Sequence, residues 1–294
     1  MSGSRERKKL LRLFDFAGAP VLAAAALGFL VLETRKALRR RKQPRPERIR
    51  TNVAVAAVAG AGLRWVLLPG IVAGAQLAHR RRQGLVARLG LPKFVAYPLS
   101  FLLLDYGNYG WHVLLHRWRF LWRFHNVHHT DLDLDVTTAW RFHVGEVLLG
   151  TPFRAAAAWL ASAPPGLAVF YEVFYEAATA FHHSNSKLPY GLEVLLNRFI
   201  VTPRMHGIHH SVVQRETDSN YSILFSFWDR LHGTVRLGVP QDAVDIGVPA
   251  FRDPHELTFS RLMALPFAPE RPWQLPDGTV PERTGTGDAQ RLLP

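Results

Sequence analysis

The sequence predicts an all-α protein, an integral membrane helical bundle of about four transmembrane helices with a histidine-rich helical cap on its cytoplasmic side. Three observations predict it. Apolar runs of spanning length organise the first two-thirds of the chain, eight histidines fall into three clusters with helical spacing, and the 294 residues contain no cysteine.

Residues 17–32 form an almost uninterrupted apolar run, 52–78 form a second broken only by Arg64 and Gln76, and 91–115 form a third whose later half acquires Asp105, Asn108 and His112. About 20 apolar residues cross a bilayer, so each of these is expected to cross alone. Residues 146–163 and 166–181 face each other across Pro164-Pro165-Gly166, which predicts a hairpin of two shorter helices. Segment 33–51 holds nine Lys/Arg in nineteen residues, the mark of a cytoplasmic loop. His79-Arg80-Arg81-Arg82 runs against that rule at the far end of the second run. The orientation that places 33–51, all three histidine clusters and the polar C-terminal third together is the one expected, facing the cytoplasm from an inner membrane.

Basic residues 5–9 ahead of an apolar stretch look like a secretory signal, yet the stretch is followed by charged Glu33-Thr34-Arg35-Lys36 rather than by a small-residue cleavage site. From Arg236 onward prolines and charges dominate, which predicts a tail that forms a peripheral cap and frays beyond about Pro276. Three regions follow: membrane helices with basic loops over 1–90, a catalytic unit over 91–236, and a cytoplasmic tail over 237–294.

The net charge of +13 invites a nucleic-acid reading. The basic residues sit beside apolar runs, with no basic-aromatic groove and no zinc-finger spacing, so no nucleic-acid partner is expected. Without cysteine there is no disulfide, thiolate zinc site, iron–sulfur cluster or thiolate haem ligand. Any metal must be held by nitrogen or oxygen.

The clusters are His112/His116, His125/His128/His129 and His206/His209/His210, reading H-x-x-x-H, H-x-x-H-H and H-x-x-H-H. Helical residues at i, i+3 and i+4 share a face, so each cluster is expected to present its imidazoles in one direction as half of a coordination shell. One isolated histidine on an apolar face is most often a core residue; three matching clusters are not. Eight nitrogens exceed what one ion uses, which points to two metals. Imidazole suits zinc, copper, iron and nickel alike, and ligand type alone does not choose. Soluble di-iron bundles use Glu-x-x-His pairs, and none occurs here. A zinc hydrolase would carry H-E-x-x-H or a glutamate beside a histidine pair, and a transporter would bury its ligands at mid-membrane across repeated halves. Neither pattern fits clusters at the ends of apolar helices, although a zinc hydrolase and a metal- or haem-binding membrane protein stay open as alternatives.

The stretch 105–143, which begins D-Y-G-N-Y-G-W-H-V-L-L-H and ends A-W-R-F-H, is similar to the first half of the fatty acid hydroxylase/sterol desaturase superfamily domain. F-H-H-S-N at 181–185, T-P-R-M-H-G-I-H-H-S at 202–211 and N-Y-S-I-L-F-S-F-W-D-R-L-H-G-T at 220–234 resemble its second half. The resemblance covers about residues 102–236. It implies an integral membrane, non-haem di-iron oxygenase that uses dioxygen, and electrons from a separate ferredoxin- or cytochrome-type donor, to hydroxylate or desaturate a lipid such as a sterol or fatty acyl chain. Carried over residue by residue, the iron ligands are His112, His116, His125, His128, His129, His206, His209 and His210, with His183 as a ninth and its neighbour His182 outside the shell. His143, in R-F-H-V-G-E, is a family position expected near the site or facing substrate. The sequence departs from the family at Val113, where many members have Arg, and at Val144, where R-F-H is usually followed by Pro.

Metal-bound imidazoles need acceptors on their second nitrogens. Asp105, Asn185, Asp131, Asp133, Asp135 and Asp229 are the candidates. Trp111, Trp118, Trp122, Trp140 and Trp159 are expected at headgroup depth, and Arg117, Arg119 and Arg123 are expected to snorkel toward phosphate.

Overall fold

The computed structural model describes residues 2–283. Among them there are helices and no strands, only the isolated bridge pairs Ala37–Ser186, Ile200–Phe225 and Ser211–Ile246.

The chain opens with α1 (Ser2–Leu13), which continues through a π turn (Phe14–Gly18) into α2 (Ala19–Arg35). After a basic loop, α3 (Arg45–Gly62) repeats the device, passing through a π turn (Leu63–Leu67) into α4 (Leu68–Arg81). Both π turns lie just ahead of a proline, Pro20 and Pro69. A proline offers no N–H and crowds the carbonyl four residues back, and one widened turn absorbs both faults without breaking the helix. The two turns carry a forked ion pair, Arg64 Nε and Nη2 donating to Asp15 at 2.5 and 2.7 Å, which fixes the two helices side by side.

The runs Gly3–Arg35 and Arg45–Arg88 are long and apolar enough to cross a membrane. Within α2 only Glu33 is buried, while Val21, Leu27 and Leu32 point outward. The short α5 (Leu85–Arg88) leads to α6 (Lys93–Arg117), and one extended residue, Trp118, separates α6 from α7 (Arg119–His129). The expected hairpin is α8 (Val144–Leu160) and α9 (Pro165–His183). The interiors of α6, α8 and α9 carry Asp105, Arg154, Glu172 and Glu176, so these helices do not join the first two as candidate spans on length and hydropathy.

α4 packs closely on α8 because small residues let the backbones meet. A Cβ on Gly74 would lie 2.2 Å from the Ala155 carbonyl oxygen, and one on Gly70 would lie 2.7 Å from Thr151 Cγ2. Leu67, Ile71 and Ala75 then join Leu104, Ala158 and Tyr171 in one apolar core.

The cap consists of α7, α10 (Tyr190–Asn197), α11 (Pro203–His209), α12 (Gln214–Thr217), α13 (Phe227–His232) and α14 (Phe259–Ala264). The run Asp131-Leu132-Asp133-Leu134-Asp135 fastens it to the basic loop by simple alternation. Leu132 and Leu134 enter two apolar clusters, while the aspartates face the other way. Asp131 takes a bidentate pair from Arg48 at 2.7 and 2.8 Å, Asp133 accepts the Lys42 and Gln43 amides, and Asp135 takes Arg48 Nη1 at 2.5 Å. Burial alone would raise the Asp131 carboxyl, but Arg48 and Arg141 hold it well below the usual carboxylate range. Several cations of 33–51 that charge counting assigns to a membrane loop are therefore structural partners.

The tail is attached further than its prolines predict. Val248, Phe251, Leu257 and Leu262 pack with Val55, Val127 and Leu132, and Arg123 donates to the Pro266 and Ala268 carbonyls. Fraying beyond about Pro276 does not hold as far as Arg283, which pairs with buried Glu216 at 2.5 and 2.8 Å; residues 284–294 lie outside the described residues.

Substituting Gly74→Leu should destabilise the protein by about 1–3 kcal/mol, the usual cost of overpacking. Gly60→Leu, where a Cβ meets nothing within 4 Å, should leave stability unchanged. Melting curves in detergent compare the two, and equal curves would refute the close α4–α8 contact.

Candidate metal centre

Four helices deliver their C-terminal ends to one place. His116 lies in the last turn of α6, His128 and His129 in that of α7, His183 in that of α9, and His206 and His209 in that of α11. A helix C-terminus carries about half a negative charge, so four of them favour cations where they converge. Local chemistry sets up α11: Thr202 caps it through the Met205 amide, Pro203 follows at its first turn, and Gly207 leaves room for Arg39, whose Nη1 would lie 2.1 Å from an added Cβ.

The nine sequence-selected histidines come together as two sets. One is His112, His116, His125, His129 and His209; the other is His128, His183, His206 and His210. Within each set the donor atoms lie within 4.8 Å of one another. The clusters are not whole half-shells, because the second and third are each divided between the sets. At about 100° per residue, i and i+4 diverge by about 40°, whereas i+3 lies about 60° to the other side. His125 and His129 therefore stay together while His128 turns to the second set, and His206 and His210 stay together while His209 turns to the first.

Backbone and carboxylate acceptors fix several rings. The Nδ1–H of His112 donates to the Tyr221 carbonyl at 2.7 Å, that of His183 to Thr179 at 2.8 Å and that of His209 to Ser219 at 2.7 Å, while His125 Nδ1 lies 3.1 Å from Glu146 Oε2. A ring that donates from Nδ1 keeps a lone pair on Nε2. Yet Nε2 of His125 lies 3.2 Å from Nε2 of His112, and Nε2 of His183 lies 2.9 and 3.0 Å from those of His128 and His206. In the His112–His125 pair, where both Nδ1 atoms donate, two buried lone pairs that close with no proton between them repel. Two nitrogens about 2.1 Å from one ion at a right angle would be about 3.0 Å apart, so the donor set fits a metal in each group. The buried atoms His116 Nε2 and His209 Nε2 have no hydrogen-bond partner among the described residues, which agrees with that fit.

Burial first, and neighbouring imidazoles second, hold His128, His129, His206 and His210 well below the ordinary histidine value, and burial pushes His209 down to about 3. The rings are neutral at neutral pH, as ligands must be.

The other selected residues sit outside both sets. His143 caps α8 by accepting the Gly145 amide, and its Nε2 lies 3.2 Å from the Met263 carbonyl while its ring packs on Phe124 and Phe267. The R-F-H-V-G-E residue that does reach the centre is Glu146, three positions later. Asp105 binds Tyr171 Oη, Trp228 Nε1 and the Phe225 amide, joining α6 to α9 and α13. Asn185 exchanges hydrogen bonds with the Arg39 backbone. Asp229 accepts the Tyr221 and Ser222 amides and so supports the carbonyl that receives His112. His182 is fully buried beside His206, ring centroids 4.1 Å apart, but belongs to neither set. Sequence reasoning missed Glu146 and the Tyr221, Thr179 and Ser219 carbonyls; the three carbonyls leave no trace in residue type.

A cavity borders both sets, lined by His112, His125, His128, His183 and His206 together with Trp111, Leu115, Phe142, Tyr175 and Ile223. Trp111, Phe142, Glu146 and Tyr175 also line a second cavity that reaches Leu63, Leu67 and Val147 on the apolar helices.

Residues 97–234 match the family described as fatty acid hydroxylase. That segment belongs to it. Relatives of this fatty acid hydroxylase domain include the ornithine lipid hydroxylase of Rhizobium tropici, 34% identical over 154 residues, covering 51% of this chain and 44% of the relative. The alkylglycerol monooxygenase of Danio rerio is 28% identical over 60% of this chain and 38% of its own length. The sphingolipid C4-hydroxylase of Schizosaccharomyces pombe is 28% identical over 47% of each. The chain thus spans less than half the length of each of these three relatives. No solved structure matches it.

The depressed histidine values fix a pH dependence for the metal-free protein. Unfolded histidine titrates near about 6.5, folded His209 near 3. Between those values the unfolded chain binds more protons, so stability is complete above about 6.5 and falls as pH drops, by up to about 1.4 kcal/mol per pH unit for each such histidine. Melting temperatures of chelator-treated protein should be level from pH 8 to 7 and fall steeply by pH 5. A level curve to pH 5 would contradict it.

Proposed function

We propose that this chain is a membrane-bound di-iron oxygenase that hydroxylates, or desaturates, a lipid. One observation carries the reading: two buried all-imidazole sets border a cavity that shares the wall residues Trp111, Phe142, Glu146 and Tyr175 with a second cavity against the apolar helices. A hydrolase acting on polar substrates has no use for such a cavity, and Glu146, the glutamate that reaches the sets, is engaged with His125 Nδ1 rather than free as a general base. The relatives' names, all lipid hydroxylases or monooxygenases, support the same class.

In this reading His112, His116, His125, His129 and His209 hold one iron, and His128, His183, His206 and His210 hold the other. The bound irons supply the multi-electron reduction of dioxygen that oxidation of an unactivated C–H bond requires. The chain's own residues do the rest. Glu146 and the Tyr221, Thr179 and Ser219 carbonyls hold the Nδ1 protons, so that Nε2 faces the metal in a fixed orientation. Trp111, Leu115, Phe142 and Ile223 keep water from the cavity and line the path of an alkyl chain. Tyr175 and Glu146 stand in the wall that the two cavities share. The electrons come from a separate ferredoxin- or cytochrome-type protein.

The same reading keeps residues 91–236 as the catalytic unit, 1–90 as membrane helices with basic loops and 237–294 as a cytoplasmic tail, of which 248–262 pack on the cap. α6 and the α8–α9 hairpin enter the membrane beside the two apolar runs, giving about four crossings of an inner membrane, with the histidines on the cytoplasmic side. Asp105, Arg154, Glu172 and Glu176 face the bundle interior, where polar groups within a membrane are tolerated.

Purified protein should contain about two irons per chain; one zinc would favour the hydrolase, and a haem absorption band would refute both. Lipid extracts of cells expressing the chain should show a species heavier by one oxygen, or lighter by two hydrogens, that is absent with His128→Ala. Persistence of that species in the variant would overturn the ligand assignment. Glu146→Gln keeps the size but weakens the hold on His125, so metal affinity or activity should fall about 10- to 100-fold. Retention of both at the level of the unaltered protein would remove Glu146 from the centre.

A further inference from the structure

α10 is polarised the wrong way for a helix in water. Its buried residues are the polar ones: Glu193, 2% exposed, accepts the Arg204 amide and Nε at 3.1 Å each, and Asn197, 6% exposed, accepts Arg230 Nη2 at 2.9 Å. Its outward residues are apolar, with Leu192 46% and Leu195 52% exposed, continued past its end by Phe199 at 62% and by Leu231 at 69%. A soluble surface helix turns its apolar stripe inward and its charges out. The reversed arrangement is stable where the surroundings are hydrocarbon. α10 also begins seven residues after α9 ends at His183, on the side of the bundle where the chain leaves the apolar helices.

Beneath α10 lies a cavity of about 330 Å³ that draws Arg198, Arg204 and Arg230 together against one carboxylate, Glu193. Glu193 is committed to Arg204, so Arg198 and Arg230 have no carboxylate partner among the described residues. The cavity therefore has surplus positive charge under an apolar rim. Arginine's fork suits phosphate oxygens, and the rim suits acyl chains.

We propose that α10 lies in the membrane interface as an element additional to the crossing helices, and that the arginine cavity beneath it holds the phosphate of an anionic phospholipid. An interfacial helix buries its apolar face about 5–10 Å into the headgroup and acyl boundary, which brings Leu195 and Phe199 into lipid and leaves Arg198 at phosphate depth. The site touches neither histidine set and does not depend on the oxygenase reading.

The absence of cysteine allows a clean test, because a single introduced thiol is the only one to label. Leu195→Cys and Phe199→Cys, spin-labelled in the full chain in vesicles of phosphatidylcholine and phosphatidylglycerol, should collide more with dissolved oxygen than with a water-soluble nickel chelate. Gln214→Cys, on an exposed polar part of the cap, should show the reverse. If the first two behave as Gln214→Cys does, the helix faces water and the proposal fails. Native mass spectrometry should find phosphatidylglycerol retained on the full chain, and diacylglycerol, its phosphate-free counterpart, not retained. Arg198→Ala, at an exposed position, should lower retention about fivefold, with Arg198→Lys restoring part of it. Equal retention in Arg198→Ala, or displacement of the lipid by inorganic phosphate at millimolar concentration, would overturn the assignment.

Discussion

Nine buried imidazoles whose nitrogens converge within 4.8 Å in each of two sets form the constraint that the rest of the fold answers to. Burying one neutral imidazole is ordinary. Burying several with ring nitrogens 2.9–3.2 Å apart is not, unless positive charge stands among them. The surroundings are arranged for that charge. Helices α6, α7, α9 and α11 all arrive C-terminus first, and carbonyl and carboxylate acceptors take the outward ring protons.

Holding four helix ends at such short range needs supports that do not yield, and these are polar rather than apolar. Arg48 binds Asp131, Asp135 and the Asp133 carbonyl, and Glu33 accepts the Val136 and Asn185 amides. Asn220 ties the Met205 carbonyl to Arg236, and Asp229 carries the Tyr221–Ser222 turn. Each is directional and most are buried, so each fixes an angle that packing alone would leave free. Breaking one partner of such a pair leaves a buried charge or dipole uncompensated, which costs far more than the pair's net worth. That asymmetry makes the network specify a geometry while adding little stability.

The histidine positions were legible because ligand spacing on a helix is dictated by 3.6 residues per turn, and the apolar runs were legible because a bilayer demands length. The division of His128 from His125 and His129 is implicit in the same angles but needs the facing helix to reveal it. The acidic run 131–135 was read as support for imidazoles, yet it binds the basic loop. Its alternation with Leu132 and Leu134 signals an extended segment with two faces, and only the fold says what the outer face meets. His143 was chosen from a motif whose working member is Glu146. Motif membership located the neighbourhood, and the helix start at Val144 decided which side chain turns inward. Beyond Arg236 the prolines point to a peripheral cap but set its fraying too early, since Arg283 is still held by Glu216. They exclude long helices but not packing, and Phe251, Leu257 and Leu262 supply enough apolar surface to hold it.

Dividing two clusters between two sets has a mechanical consequence. Had each set been drawn from its own helices, the distance between them would depend on how two separate units sit against each other. Instead α7 supplies His125 and His129 to one set and His128 to the other, while α11 supplies His209 to the first and His206 and His210 to the second. Two short rigid helices therefore cross-link the sets, and neither set can move without distorting the other. The cavity wall contains His112 and His125 from one set and His128, His183 and His206 from the other. That cavity therefore faces both sets at once, at a separation that α7 and α11 have already fixed.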